Sequence, residues 1–404
     1  MKTGRRYSAA MRPGALAVVA LVAAALGSAA TLFVAQETGW IDADASPAAT
    51  VVIDGSGAVA AAPVAAPLVG DSFEPARIYA RTTPGVVTIY ALFDGGARSQ
   101  GSGFVASGDG HVLTNSHVIT SSGERGPVRG ASSVYVVFAD GDRIPAKIVG
   151  WDLFNDTGVI KVDPAEHAVT PIPLGDSSAV VVGEPVAAIG SPFGNENSLA
   201  VGVVSAVSRS IPSLTSRYNV SNAIQVDAPI NHGNSGGPLL DARGRVIGIN
   251  AQIRSESGNA EGVGFAIPIN SVRRSMEQLI ATGRVAYAYV GITTQDVTPA
   301  LARKYGLAAE RGAIVEDAVD GSPAAKAGLR GSSRQELFNG AAVPVGGDVI
   351  VAVAGQAVER ADDVGRIVTE SLSPGDVVDV AVLKGGKGAR RVVKLRLVER
   401  PVDP

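Results

Sequence analysis

The stretch Asn231-His232-Gly233-Asn234-Ser235-Gly236-Gly237-Pro238-Leu239 decides how the chain is read. A serine set among small residues and followed by two glycines lies where the backbone can turn tightly. There its hydroxyl is exposed and nearby N–H groups can converge on one point. Acyl transfer needs both, because an oxyanion forms and pre-aimed N–H donors stabilise it. The backbone N–H groups of Gly233 and Ser235 are the natural donors. Taken alone, the stretch is equally a plain turn.

A serine hydroxyl also needs a base. The chain has four histidines, His111, His117, His167 and His232, and no cysteine. Thiolate chemistry, disulfides and cysteine-held metals are therefore excluded. His111 follows the turn Gly108-Asp109-Gly110, and His167 sits between Pro164 and Pro171, so both read as turn or loop residues. His117 lies in Thr114-Asn115-Ser116-His117-Val118-Ile119, just after a strand-like run. A carboxylate must then orient the base and stabilise its imidazolium form. Asp156 fits, in Asn155-Asp156-Thr157-Gly158-Val159-Ile160, at the mouth of another strand. Asp152 is the rival, but Asp156 immediately precedes its strand. The order His, Asp, Ser is the chymotrypsin-type order.

Outward from these segments, short β-branched runs recur between turn residues. They include Val86–Phe93, Gly103–Ala106, His111–Thr114, Val134–Phe138, Ile144–Val149, Val159–Val162, Val186–Ile189, Ala200–Val207, Ala223–Val226, Val246–Ile253 and Val263–Ile267. Such spacing, with 49 Gly and 23 Pro, predicts a mostly β barrel or sandwich. A short helix is expected over Glu74–Arg81. A second follows Asn270 as N-cap, with Val272, Met276, Leu279 and Ile280 on one face and Gly283 as C-cap. Downstream, Tyr289–Thr293, Ala313–Val315, Val349–Val353, Val377–Leu383 and Arg391–Leu397 read as strands. Ser322–Ala327 and Ala361–Thr369 read as helices, and Gly331–Val345 as a surface loop.

These segments resemble the HtrA/Deg serine proteases, whose usual forms are Thr-Asn-x-His-Val, Asp-Leu-Ala-Val-Leu-Lys and Gly-Asn-Ser-Gly-Gly-Pro-Leu. The resemblance covers about residues 72–400. It implies a chymotrypsin-like double β-barrel protease domain over 72–284 and a PDZ domain over 285–400. By resemblance, His117 is the base, Asp156 its orienter and Ser235 the nucleophile. Ile230, five residues before Ser235, lines the first specificity pocket, with Ile253 a second candidate. Aliphatic walls would favour small or medium apolar side chains before the scissile bond. Tyr289-Val290-Gly291-Ile292 matches the loop with which PDZ domains capture a terminal carboxylate. Departures exist. Thr157-Gly158 replaces Leu-Ala after the aspartate, and His232 stands where the family commonly has Pro or Arg. Asn234 occupies the place of the aspartate that pairs with a new amino terminus in trypsin-like zymogens. The segment Asp94–Gln100 is too short for the family's longer inhibitory loop.

The remainder concerns location and partners. Lys2, Arg5, Arg6 and Arg12 precede an uncharged apolar run, Ala15–Ala35, about the length that spans a hydrocarbon core. The positive-inside rule then places residues 1–14 in the cytoplasm and everything after the anchor outside. The alternative is a cleaved signal peptide, with small-residue sites such as Ser28 and Ala30. Residues 36–71, rich in Ala, Pro, Val and Gly, read as a flexible linker. With 404 residues, 46% of them hydrophobic, the chain can build two sizeable cores. Net charge is −3 without a basic stripe, which argues against nucleic acid as a partner. No metal or organic cofactor is implied. The expected substrates are unfolded, damaged or regulatory envelope proteins, with C-terminal peptides at the PDZ domain. The family resemblance implies a homotrimer. The competing class is a chaperone-like peptide-binding protein with little or no proteolysis.

Overall fold

The computed structural model describes residues 73–121, 128–191, 197–213, 215–216, 218–230, 233–251 and 263–401. The apolar run 15–35 lies outside them. Among the described residues no helix is long and apolar enough to cross a membrane.

Helix α1 (Pro75–Thr82), with proline in its first turn, leads into the first barrel. That barrel closes from β1 (Val86–Leu92), β2 (Arg98–Val105), β3 (His111–Thr114), β4 (Ser133–Val137), β5 (Arg143–Asp152) and β6 (Thr157–Lys161), in the order β1-β2-β3-β6-β5-β4. The short α2 (Ser116–Ile119) follows β3. A second barrel closes from β7 (Pro185–Gly190), β8 (Ser198–Pro212), β9 (Asn219–Val226), β10 (Pro238–Leu240), β11 (Val246–Ala251) and β12 (Gly264–Pro268). Both are antiparallel throughout.

Strand alternation builds three cores at once. In β1, Val87, Ile89 and Ala91 fill the first barrel, while Val86 faces the other way, into the layer between barrels. In β7, Val186 and Ala188 fill the second barrel, while Ala187 and Ile189 meet that same layer. Helix α3 (Ile269–Thr282) seals the layer with Val272 and Leu279. Gly283 closes it in the left-handed region. Two sequence expectations fail here. The residue at the α3 N-terminus is Pro268, not Asn270; Asn270 instead donates through Nδ2 to Asp176 Oδ1 at 2.7 Å. The inward face carries Ser275 and leaves Ile280 exposed.

The downstream domain begins with β13 (Ala288–Tyr289) and β14 (Ile292–Val297). The single strand expected over Tyr289–Thr293 is thus broken at Val290-Gly291. Helix α4 (Pro299–Tyr305) follows, capped by the Thr298 hydroxyl, and was not anticipated. Then come β15 (Gly312–Ala318) and α5 (Pro323–Lys326). The expected surface loop after Gly331 is instead a hairpin, β16 (Arg334–Phe338) with β17 (Ala341–Val345). Strand β18 (Val349–Val353), β19 (Gln356–Ala357), α6 (Ala361–Ser371), β20 (Val377–Leu383), β21 (Arg390–Arg396) and β22 (Val398–Glu399) complete the chain. The main sheet runs β14-β15-β18-β20-β21, with β19 beside β18, and β13 pairs with β22.

Candidate active site

The turn between β5 and β6 presents Asp156 with φ 46°, a left-handed conformation that aspartate tolerates better than most residues. Its backbone carbonyl accepts hydrogen bonds from Ser116 N at 3.2 Å and Asn115 Nδ2 at 2.9 Å. Its side-chain Oδ1 accepts from His117 N at 3.0 Å and Ser116 Oγ at 2.8 Å. That leaves Oδ2 for the ring: His117 Nδ1 lies 2.7 Å away. A carboxylate is an acceptor, so Nδ1 carries the proton and Nε2 is left as the basic nitrogen. Burial tends to lower the His117 pKa, but the charge and hydrogen bond of Asp156 outweigh it and hold the ring above its ordinary value.

Ser235 comes from the other barrel, on the turn that leads into β10. Its hydroxyl is buried and, among the described residues, makes no hydrogen bond. The turn is clamped from the first barrel by Ser102, whose N–H donates to the Ser235 carbonyl at 2.8 Å. Ser102 Oγ donates to the Gly233 carbonyl at 2.5 Å and accepts from Ser191 N at 2.8 Å. Gly236 follows Ser235 with φ 88°, and a Cβ there would lie 2.1 Å from the Ser102 carbonyl. No other residue fits between the two barrels at this point. Among the described residues, neither the Gly233 nor the Ser235 N–H donates to a backbone carbonyl outside regular secondary structure. N–H groups on one tight turn can receive an oxyanion. Asn234 donates through Nδ2 to the Pro229 carbonyl at 3.4 Å and carries no charge.

Ile230 is buried, and the added Cβ of a residue replacing Gly264 would meet its Cγ1 at 2.5 Å. Ile253 and His232 lie outside the described residues. Asp152, the rival carboxylate, is buried away from the histidine. Its Oδ2 accepts from Tyr287 OH at 2.5 Å and Ser275 Oγ at 2.6 Å, and burial raises its pKa. His111 is not a loop residue: it opens β3, buried, with Nδ1 3.0 Å from Ser107 Oγ. His167 stacks on Phe138 and reaches Asp140. Sequence reading missed Ser102, although Gly101-Ser102-Gly103 is a run of small residues that marks close backbone approach. Among the described residues no cluster of three or more His, Asp or Glu could hold a metal ion.

In the downstream domain the carbonyls of Val290 and Gly291 accept from Ala324 N at 3.0 Å and Val319 N at 2.9 Å. On trans peptide planes the N–H groups of Gly291 and Ile292 then point the opposite way. They face a groove of about 260 Å³ between β14 and α6.

Two closed six-stranded barrels followed by a PDZ-like sheet have the architecture of a chymotrypsin-like peptidase with an added domain. Residues 101–249 match the trypsin-like peptidase domain family and residues 288–395 the PDZ domain family. The chain is 38% identical over 325 residues to the chloroplast Protease Do-like 1 of Arabidopsis thaliana, covering 78% of this chain and 70% of that protein. It is 38% identical over 307 residues to a probable periplasmic DegP-like serine endoprotease of Hahella chejuensis, covering 76% of this chain. The chain spans 58% of that bacterial relative's length. Among solved structures, the HtrA-type protease AlgW with a tripeptide superposes with a TM-score of 0.66 at 32% identity, covering 81% of this chain and 98% of that one. The chain belongs to the HtrA/DegP family of serine endoproteases.

Proposed function

We propose that the chain is an extracytoplasmic serine endopeptidase that cleaves unfolded or regulatory envelope proteins through an acyl-enzyme. His117 takes the Ser235 proton through Nε2 as Oγ attacks the scissile carbonyl, then delivers it to the leaving amine. Asp156 holds the ring and stabilises the imidazolium. The N–H groups of Gly233 and Ser235 receive the oxyanion. Ile230, with Ile253, forms the wall of an apolar pocket for the residue before the scissile bond. Tyr289, Val290, Gly291 and Ile292 bind a terminal carboxylate and recruit or regulate. The single observation carrying this reading is the 2.7 Å contact from His117 Nδ1 to Asp156 Oδ2, in the tautomer a general base needs. The periplasmic relatives, the apolar run 15–35 and the linker 36–71 support a membrane-tethered enzyme with its working domains outside. Family membership supports assembly as a homotrimer.

The test is cleavage of unfolded casein by the wild type and by Ser235→Ala. Loss of a nucleophile lowers turnover by on the order of 10⁶-fold in a comparable triad. A wild type that binds casein without cutting it, or a Ser235→Ala variant that cuts as fast, would refute the endopeptidase reading. Binding without cutting is what the chaperone-like alternative expects.

A further inference from the structure

Arg400 stands where the two domains meet, and its surroundings are unusual for a cation. The residue follows β22, which pairs with β13 in the register Ala288 to Glu399 and Tyr289 to Val398. Its N–H donates to the Tyr287 carbonyl at 2.8 Å. This ladder fixes Arg400 beside the carboxylate-type loop, and its side chain lines the same groove as Tyr289, Gly291 and Ile292. The lining also includes Tyr218 and Ser221, which precede the PDZ domain. The guanidinium lies 5.0 Å from the Tyr218 ring centre, 5.4 Å from Phe154 and 5.7 Å from Tyr287.

Asp152 acts on the Arg400 charge from a distance but does not pair with it. Among the described residues no carboxylate lies within ion-pair distance of it. Among the described residues its Nη2 makes one long hydrogen bond, 3.4 Å to Thr369 Oγ1, and its buried Nε has no partner. Aromatic faces attract a guanidinium but satisfy none of its N–H donors. A buried cation with open donors is costly unless something anionic joins it. Burial also pulls its pKa down from the usual arginine range. The groove it lines offers backbone N–H groups suited to one anion, the α-carboxylate of a chain terminus.

We propose that Arg400 is the counter-ion for the terminal carboxylate of a peptide lying in the groove between β14 and α6, so that it selects free chain ends over internal or blocked segments. This rests on the reading of that groove as a peptide site. Arg400 reaches the carboxylate with its Nη donors while the Gly291 and Ile292 N–H groups hold the other face. The backbone groups alone would accept a neutral amide oxygen almost as well; the cation supplies the charge discrimination.

The experiment uses the full chain in a Ser235→Ala background, so that the probe is not cut. The probe is a fluorescein-labelled decapeptide ending in Val-Val, made once with a free carboxylate and once as the C-terminal amide. Kd is measured by anisotropy for Arg400, Arg400→Lys and Arg400→Gln. The expected result is a marked preference for the acid with Arg400, reduced at least about tenfold in Arg400→Gln and partly kept in Arg400→Lys. Amide binding should be the same in all three, which also shows that the domain is folded. An acid-to-amide ratio unchanged in Arg400→Gln overturns the assignment of Arg400 while leaving the groove a peptide site. Failure of the Arg400 protein to bind either peptide overturns the groove reading, and this proposal with it. A drop in amide binding equal to that in acid binding also overturns it, since Arg400 would then be a structural strut.

Discussion

The phenol of Tyr287 donates to Asp152 Oδ2 at 2.5 Å, and so a residue just ahead of the PDZ domain holds the turn that carries Asp156. Asp152 Oδ1 accepts from Phe154 N at 2.9 Å and Asn155 N at 3.3 Å, shaping the backbone just before Asp156. Asn155 Nδ2 donates back to Tyr287 OH at 2.7 Å. Ser275 Oγ is the second side-chain donor to Asp152. Removing the phenol leaves a buried carboxylate one donor short, which costs about 1–3 kcal/mol. Tyr287→Phe should therefore lower stability by that amount in denaturant unfolding. It should also lower kcat on a short peptide substrate, roughly tenfold, as the turn loosens. Unchanged stability together with unchanged kcat would mean that the contact supports nothing.

If His117 is the base, its ring sets the acid side of the pH profile. Its pKa is raised above 6.5, because Asp156 outweighs the opposing effect of burial. Only the neutral ring accepts the serine proton. Activity should thus fall as pH drops through a value above 6.5, not through 6.5 itself. Replacing Asp156 by Asn removes the raising charge, so the acid limb should move to lower pH. Turnover should also fall by about 10⁴-fold, because the wrong tautomer is favoured. The measurement is kcat/KM against pH for both proteins. A limb that stays in place in Asp156→Asn would disconnect it from this histidine.

Much of the fold was legible because alternation is a local property. The runs at His111–Thr114, Val349–Val353 and Val377–Leu383 coincide with β3, β18 and β20. What escaped had one of two causes. Some signals were present and overlooked. Asn339-Gly340, with φ 49° and 82°, is the hairpin turn between β16 and β17, and Thr298-Pro299 starts a capped helix. Others were not in the local sequence at all. Strand β10 has three residues and exists only because β7 and β11 pair with it. Asp152, Ser275, Tyr287 and Arg400 are far apart in the chain, and nothing near any of them announces the others. The candidate triad was readable from three short motifs, whereas the clamp formed by Ser102 required the barrels to be closed.

Ile230 separates a pocket role from a core role. It is buried near the base of the Ser235 turn and packs against Gly264 of β12. If it forms a wall of the first specificity pocket, Ile230→Ala deepens that pocket. The ratio of kcat/KM for Phe over Val before the scissile bond should then rise by roughly 10- to 200-fold. The comparison is made with a pair of peptides differing at that residue alone. An unchanged ratio with lowered stability would assign Ile230 to the core.

Gly291 tests the groove without touching the catalytic site. Its φ is 79°, and a Cβ there would lie 2.2 Å from the Ser322 side chain. The alanine variant must therefore shift the Val290–Ile292 backbone, whose carbonyls are pinned by Ala324 and Val319. A shift of that kind re-aims the Gly291 and Ile292 N–H groups that face the groove. Gly291→Ala should weaken binding of a C-terminal peptide by at least about tenfold. Cleavage of a short substrate that does not occupy the groove should remain close to the unsubstituted rate, because Ser235, His117 and Asp156 belong to the two barrels. Peptide affinity by anisotropy and kcat/KM on the short substrate read the two effects separately. Undiminished affinity would show that the carboxylate-type loop is not where the peptide ends.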